Sequence, residues 1–455
     1  MTKLSLLSLS LLLTVNSLSA STIAVVDSGN DFLHKDLVSS AWVNPIEIPM
    51  NDRDEDKNGY PDDVNGWNFA ESNNTLVDYS YAKSNTEDAR KFFDVQLKSF
   101  LGTVTQSEID WAREKFKDEA FVKNLQIFGN WIHGTHVTGI AVKNSPDTKV
   151  VGIKLIPTEV KLPGQKSFDA MIAKGGAKEM ILKAALKALA QQQTKIYVEI
   201  GSYIKGAKAD VMNGSFGTSY EAISGVIFVL YKTVFRAEPT SDELKLYANY
   251  FFEVNLEETK KFLSESPETL FVFAAGNEGS NNDDVPSSPT NVKADNKISV
   301  AATLGDQGLA NFSCYGVNNV EVAAPGVGIN STIPMNNYLA ISGTSQAAPY
   351  VANMAGKIKD VNPKLNYKDI KKIIMETVDV KPWLIGKVKT SGLVNRERAI
   401  RAAELSRKLA LDIAIERSKK DVLAKTENEK AIGPRYFQIP KEFVQSLPSP
   451  IVFKY

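Results

Sequence analysis

The strongest constraint on this chain is a series of short apolar runs, each rich in β-branched or small residues and each ending in small or polar ones. Ser21-Thr22-Ile23-Ala24-Val25-Val26 runs into Asp27-Ser28-Gly29, and Val150–Ile156 is a second such run. Asp210-Val211-Met212-Asn213 runs into Gly214-Ser215-Phe216-Gly217, and Leu270-Phe271-Val272-Phe273 into Ala274-Ala275-Gly276-Asn277. Lys297–Ala302 and Val320–Ala324 complete the set. Runs of this length without alternation read as strands buried on both faces, which is the pattern of a parallel sheet. The intervening stretches carry helical patterning and are long enough for crossover connections. The expected fold is α/β, a doubly wound, mostly parallel sheet with helices on both faces and helical insertions. In such a fold the chemistry gathers where the strands end.

Composition excludes several function classes. Lys plus Arg equals Asp plus Glu, 53 each, so no basic field gathers nucleic acid. Met1-Thr2-Lys3 precedes a leucine-rich run to about Val15 and a small-residue end at Ser17-Leu18-Ser19-Ala20. A basic start, a short apolar core and a small-residue cleavage site describe a signal peptide over 1–20, and hence a secreted or periplasmic product. No later stretch is apolar for long enough to span a membrane. Cys314 is the only cysteine, so no intramolecular disulfide is available. A single body over 21–410 is expected, with insertions at about 79–129 and 219–264 and an extension over 411–455. A monomer is expected.

Four strand or helix ends carry residues of chemical interest. Gly343-Thr344-Ser345-Gln346-Ala347-Ala348-Pro349 bends the chain into a helix, placing the Ser345 hydroxyl beside unpaired backbone N–H groups. Taken alone, such a serine reads equally well as a helix cap. Asp27 ends the first strand, and Asn277 follows the fourth. Trp131-Ile132-His133-Gly134-Thr135-His136-Val137-Thr138-Gly139 is expected to open a tightly packed helix. Two of the three histidines of the chain lie there. As a metal pair they lack the further Cys, His or acid that a zinc set needs. An acid, a histidine, a serine and an asparagine are the groups that nucleophilic acyl transfer requires: carboxylate, base, hydroxyl and oxyanion donor.

Asp54, Asp56, Asn58 and Asp62 fall at positions one, three, five and nine of a hard-cation loop, with Gly59 at the sharp turn. Position twelve is Asn65 rather than a bidentate glutamate. A structural calcium is the cofactor expected here.

The order Asp27, His133, Ser345, together with Val25-Val26-Asp27-Ser28-Gly29, His133-Gly134-Thr135-His136-Val137, Ala274-Ala275-Gly276-Asn277 and Ser342-Gly343-Thr344-Ser345-Gln346-Ala347-Ala348-Pro349, resembles the subtilisin-like serine peptidases. Lesser matches are Asn213–Gly217, Asn311–Gly316 and Val322–Gly326. The resemblance implies an exported serine endopeptidase acting on protein or peptide substrates through an acyl-enzyme. Asp27, His133 and Ser345 would form the triad and Asn277 the oxyanion donor, with His136 a structural residue. Ser215-Phe216-Gly217 would pair with an extended substrate, leaving preference to pockets between it and Ala274-Ala275-Gly276. The alternatives are a catalytically silent peptide-binding domain and a metal hydrolase built on His133 and His136. The family resemblance also implies an N-terminal propeptide, for which the stretch ahead of Asp27 leaves no room. The helical insertions, the C-terminal tail or a separate inhibitor are the expected substitutes.

Overall fold

The computed structural model describes residues 20–159, 178–424 and 448. The expected signal peptide lies outside these apart from Ala20, as does most of the stretch after 424. The strands are β1 (Thr22–Asp27), β2 (Gly66–Asn68), β3 (Lys149–Lys154), β4 (Val211–Gly214), β5 (Leu270–Ala274), β6 (Lys297–Leu304), β7 (Gly308–Leu309), β8 (Val322–Pro325), β9 (Ile329–Ile333), β10 (Asn337–Ile341), β11 (Asp379–Val380) and β12 (Gly392–Leu393). All but β9 and β10 join one sheet in the order β11-β12-β8-β6-β5-β4-β1-β3-β2, with β7 paired to β6. The pairs from β2 to β8 along this path are parallel, and only β6·β7 and β11·β12 are antiparallel. From β1 the chain forms β2 and then β3 on one side, and crosses to β4 on the other. The strand order therefore reverses at β1, the place where an open α/β sheet forms a crevice.

The helices are α1 (Glu87–Leu101), α2 (Gln106–Lys115), α3 (Glu119–Ala141), α4 (Lys178–Gly206), α5 (Tyr220–Phe235), α6 (Ser241–Glu265), α7 (Thr344–Val361), α8 (Tyr367–Glu376), α9 (Arg396–Ser406) and α10 (Leu411–Asp421). One face of the sheet, through Val25, Val150, Val211, Val272 and Val300, packs on α7, α3 and α9. The other, through Val26, Ile153, Met212, Phe271 and Phe273, packs on the second half of α4 and the end of α6. Successive strand residues serve opposite faces, so both must be apolar. The doubly wound arrangement follows, as expected from the uninterrupted apolar runs.

The two helical additions each have a core of their own. Phe92, Phe93, Phe121, Phe128 and Trp131 pack together and against Ile333 and Ile341 of the β9–β10 hairpin. Leu182 and Leu186 of α4 pack with Ile223, Ile227, Phe251 and Phe252 of α5 and α6. α4 runs from Lys178 to Gly206 as a single helix, with no Pro or Gly to interrupt it before Gly201. The chain from Arg396 to Asp421 is divided between α9 and α10. No helix among the described residues is long and apolar enough to cross a membrane.

Candidate active site

Asp27 closes β1 at the point where the strand order reverses. Its side chain is fully buried, and its Oδ1 accepts from Ser28 N at 2.7 Å. The same oxygen lies 2.6 Å from His133 Nδ1. A carboxylate only accepts, so Nδ1 carries the proton and Nε2 is left as the basic nitrogen. Asp27 Oδ2 is buried with no hydrogen-bond partner among the described residues. It is available to positive charge that develops on the imidazole.

His133 does not sit near the beginning of its helix, as the sequence suggested, but in the middle of α3. The helix begins at Glu119, where Asp118 accepts from Ala120 N and Phe121 N, and the apolar series Phe121, Leu125, Phe128, Ile132 continues its period without a break. The residue after His133 explains its closeness to Asp27. A Cβ on Gly134 would lie 2.2 Å from Gly29 O, so only glycine lets this turn of α3 touch the backbone leaving β1. Gly134 N then donates to Ser28 Oγ at 3.1 Å.

His136, one turn on, is fully buried. Its Nε2 donates to Ile329 O and Leu339 O, at 3.1 and 3.0 Å, and its Nδ1 faces Gln346. Burial pushes its pKa down to about 3, so it is neutral. With its Nε2 proton spent on two carbonyls, it joins α3 to the β9–β10 hairpin.

Ser345 is the second residue of α7. Pro349 lies beyond the first turn, and its missing N–H is the one that would have bonded the Ser345 carbonyl. The orphaned carbonyl instead accepts from Ser215 Oγ at 2.9 Å. The Ser345 hydroxyl donates to Ser215 O at 3.3 Å. One proline thus ties the serine to the segment that follows β4. In this structure the hydroxyl points to that carbonyl, a resting contact of the kind catalytic groups give up when substrate arrives.

Asn277 is oriented by Thr344: its Oδ1 accepts from Thr344 N at 2.9 Å and from Thr344 Oγ1 at 2.8 Å. Its Nδ2 lies 3.4 Å from where a Cβ on Gly343 would stand. The amide therefore turns its donor end toward the start of α7. His133, Asn277 and Ser345 line one cavity of about 530 Å³.

Of the remaining expected residues, Gly217 is buried and donates its backbone N–H to Pro448 O at 3.0 Å. Phe216 is fully buried too, its ring tilted against Tyr197 and edge-on to Phe273. Ala274 and Ala275 are also fully buried. Ala274 O accepts from Thr290 Oγ1, Ala275 N donates to Val300 O and Gly276 N to Thr344 Oγ1. These residues are buried, and the hydrogen bonds of Ala274, Ala275 and Gly276 hold the turn that leads to Asn277.

Much of the cavity wall is supplied by the first insertion and the helix that continues from it. Phe93, Leu125, Ile127 and Ile132 come from α1 and α3, and Lys123 reaches Glu159 at 2.9 Å across the cavity wall. The aromatic spacing of this region announced packing, but nothing local says against what.

In the acidic loop, Glu47, Asp54 and Asp56 each bring a carboxylate oxygen within 4.8 Å of the others. Asp62 stands apart from this group, accepting from Asn51 N and Asp52 N, and Asn58 directs its amide at Asp56 and Asp63. Glu47 takes part from outside the loop. Such a set of hard oxygen donors suits calcium in kind. Asp54 also accepts from Asn58 N and Gly59 N, and its pKa is lowered by the backbone N–H groups it faces, against the opposing effect of burial.

A model described as the Subtilase family matches residues 19–404. The chain is 26% identical over 398 residues to Subtilisin-like protease 1 of Plasmodium vivax, covering 86% of this chain and 49% of that protein. It is 37% identical over 134 residues to Alkaline elastase YaB of Bacillus sp. (strain YaB), covering 29% and 33%. It thus spans about half the length, or less, of these relatives. Among solved structures it is similar to the A-subunit of the AB5 toxin from E. coli, at 16% identity and a TM-score of 0.44 over 85% of this chain and 94% of that one. With most of its length matched by the family model, the chain belongs to the subtilase family.

Proposed function

We propose that this chain is an exported serine endopeptidase that cleaves peptide bonds in protein substrates through an acyl-enzyme. The observation that carries the reading is the convergence of His133, Ser345 and Asn277 on one cavity, with Asp27 buried behind His133. In this reading Ser345 Oγ attacks the scissile carbonyl and passes its proton to His133 Nε2. Asp27 keeps the imidazole in the tautomer that can accept it and faces the positive charge that results. The oxyanion is met by the backbone N–H at Ser345 and by Asn277 Nδ2, both fixed before substrate binds and so at little reorganisation cost. His133 then protonates the leaving amine, and water releases the acyl group by the reverse sequence. The Gly217 N–H offers an edge where an extended peptide can add as a strand.

Export rests on the basic, leucine-rich beginning of the sequence. Calcium has no part in these steps, and a fall in melting temperature on chelation is the check for a structural ion in the acidic loop. The chemistry itself is tested with a fluorophosphonate probe. Labelling that disappears in Ser345→Ala is the expected result, whereas folded protein that never labels would overturn the reading.

A further inference from the structure

One residue of the distal C-terminal stretch is found in the cleft itself. Pro448 O accepts from Gly217 N at 3.0 Å, and Pro448 lines the same cavity as His133, Asn277 and Ser345. Gly217 lies beyond the end of β4, and its N–H is the backbone donor assigned above to substrate. A segment of the chain therefore makes, through its main chain, a contact that an added substrate strand would make. We propose that the C-terminal segment carrying Pro448 is an intramolecular occupant of the substrate cleft, which withholds Ser345 from other peptides until the segment is displaced or cut away. This rests on the serine peptidase reading of the site.

Three physical points favour the assignment. Reach is no obstacle: 24 positions separate Ala424, at the end of the main body, from Pro448, and an extended chain of that length covers up to about 80 Å. Affinity need not be high, because a tethered occupant competes at an effective concentration on the order of 1 mM. The sequence also suits an occupant rather than a substrate. Proline has no N–H, so Pro448 gives Gly217 an acceptor and offers no donor in return, halving the bonds that a paired residue exchanges. Pro450 repeats the restriction two residues on. Such a segment holds the cleft weakly enough to be released, and its prolines fix backbone angles that an attacked peptide would have to adjust.

The test uses the full chain with a recognition site for a specific protease introduced between Lys425 and Ala431. Fluorophosphonate labelling is timed before cutting, and again after cutting and dilution to nanomolar concentration. At least about tenfold faster labelling after cutting is expected, with an unchanged circular dichroism spectrum. A synthetic peptide of residues 443–455 at millimolar concentration should slow it again. Equal labelling rates before and after cutting would overturn the proposal. A second measurement does not depend on catalysis: the same peptide, fluorescently labelled, is titrated into cut Ser345→Ala protein and followed by anisotropy. Saturable binding below about 1 mM supports the cleft contact, and absence of binding overturns it. If the peptide binds but neither form labels, the tail contact stands and the catalytic reading fails.

Discussion

His133 and His136 lie one turn apart on α3 and differ in almost every physical respect. His133 is 13% exposed, borders the cavity and faces a carboxylate, whereas His136 is fully buried between two backbone carbonyls. The first has its basic nitrogen turned to the cavity and the second has its proton committed to the fold. Identical side chains on one helix thus serve chemistry and architecture, and the difference arises from what each faces. β1 ends under one of them, and the β9–β10 hairpin covers the other.

The largest expected effect would break this contrast if it failed. His133→Ala should lower turnover by about 10⁴- to 10⁶-fold, while His136→Ala should leave turnover per folded molecule within about tenfold. Steady-state rates corrected for the folded fraction decide the matter, and comparable losses in both variants would erase the division of roles. The His136 variant should instead lose stability, by about 2–4 kcal/mol, from a cavity and two deserted carbonyls. Next in size, Asn277→Ala should reduce turnover by about a hundred- to a thousandfold with little change in KM. An unchanged rate would remove Asn277 from the oxyanion site.

The smallest effect concerns pH. His136 has a folded pKa of about 3, below the ordinary imidazole value of about 6.5. The unfolded chain therefore binds a proton in this interval that the folded chain refuses. The stability linked to His136 is complete above about pH 6.5 and is lost progressively as pH falls toward the folded value. Between pH 6.5 and 5, before most carboxylates titrate, urea melts should show a loss of about 2 kcal/mol. The same interval should be flatter in His136→Ala, and parallel slopes in the two proteins would show that another group is responsible.

The first insertion shows where reading the sequence stopped. Its helices and aromatic residues were legible as a period, and Thr105 with Glu108 carries a capping box that marks one of the helix starts. Yet the expected helix opening near Trp131 proved to be the middle of α3, because the apolar spacing runs through Gly129 and Gly134. Glycine is a poor helix former by local propensity. Packing against Ile333 and Ile341 overrode it. Likewise Glu47 could not be connected with Asp54 and Asp56 by spacing, and the exclusion of Asp62 from that group depends on which backbone N–H groups it meets.

By itself the sequence determined the class of sheet, since strands buried on both faces must be apolar at every position. It also determined the candidate chemical groups, because Asp27, Asn277 and Ser345 each stand at the end or start of a recognisable element. Only the tertiary structure decided what holds His136 in place, that Phe216 packs among Tyr197 and Phe273 while Gly217 N meets Pro448 O, and which residues of α1 and α3 wall the cavity. It also brought Pro448 to Gly217. These are meetings of residues far apart in the chain, fixed by packing and hydrogen bonding across the fold, and local pattern carries no record of them.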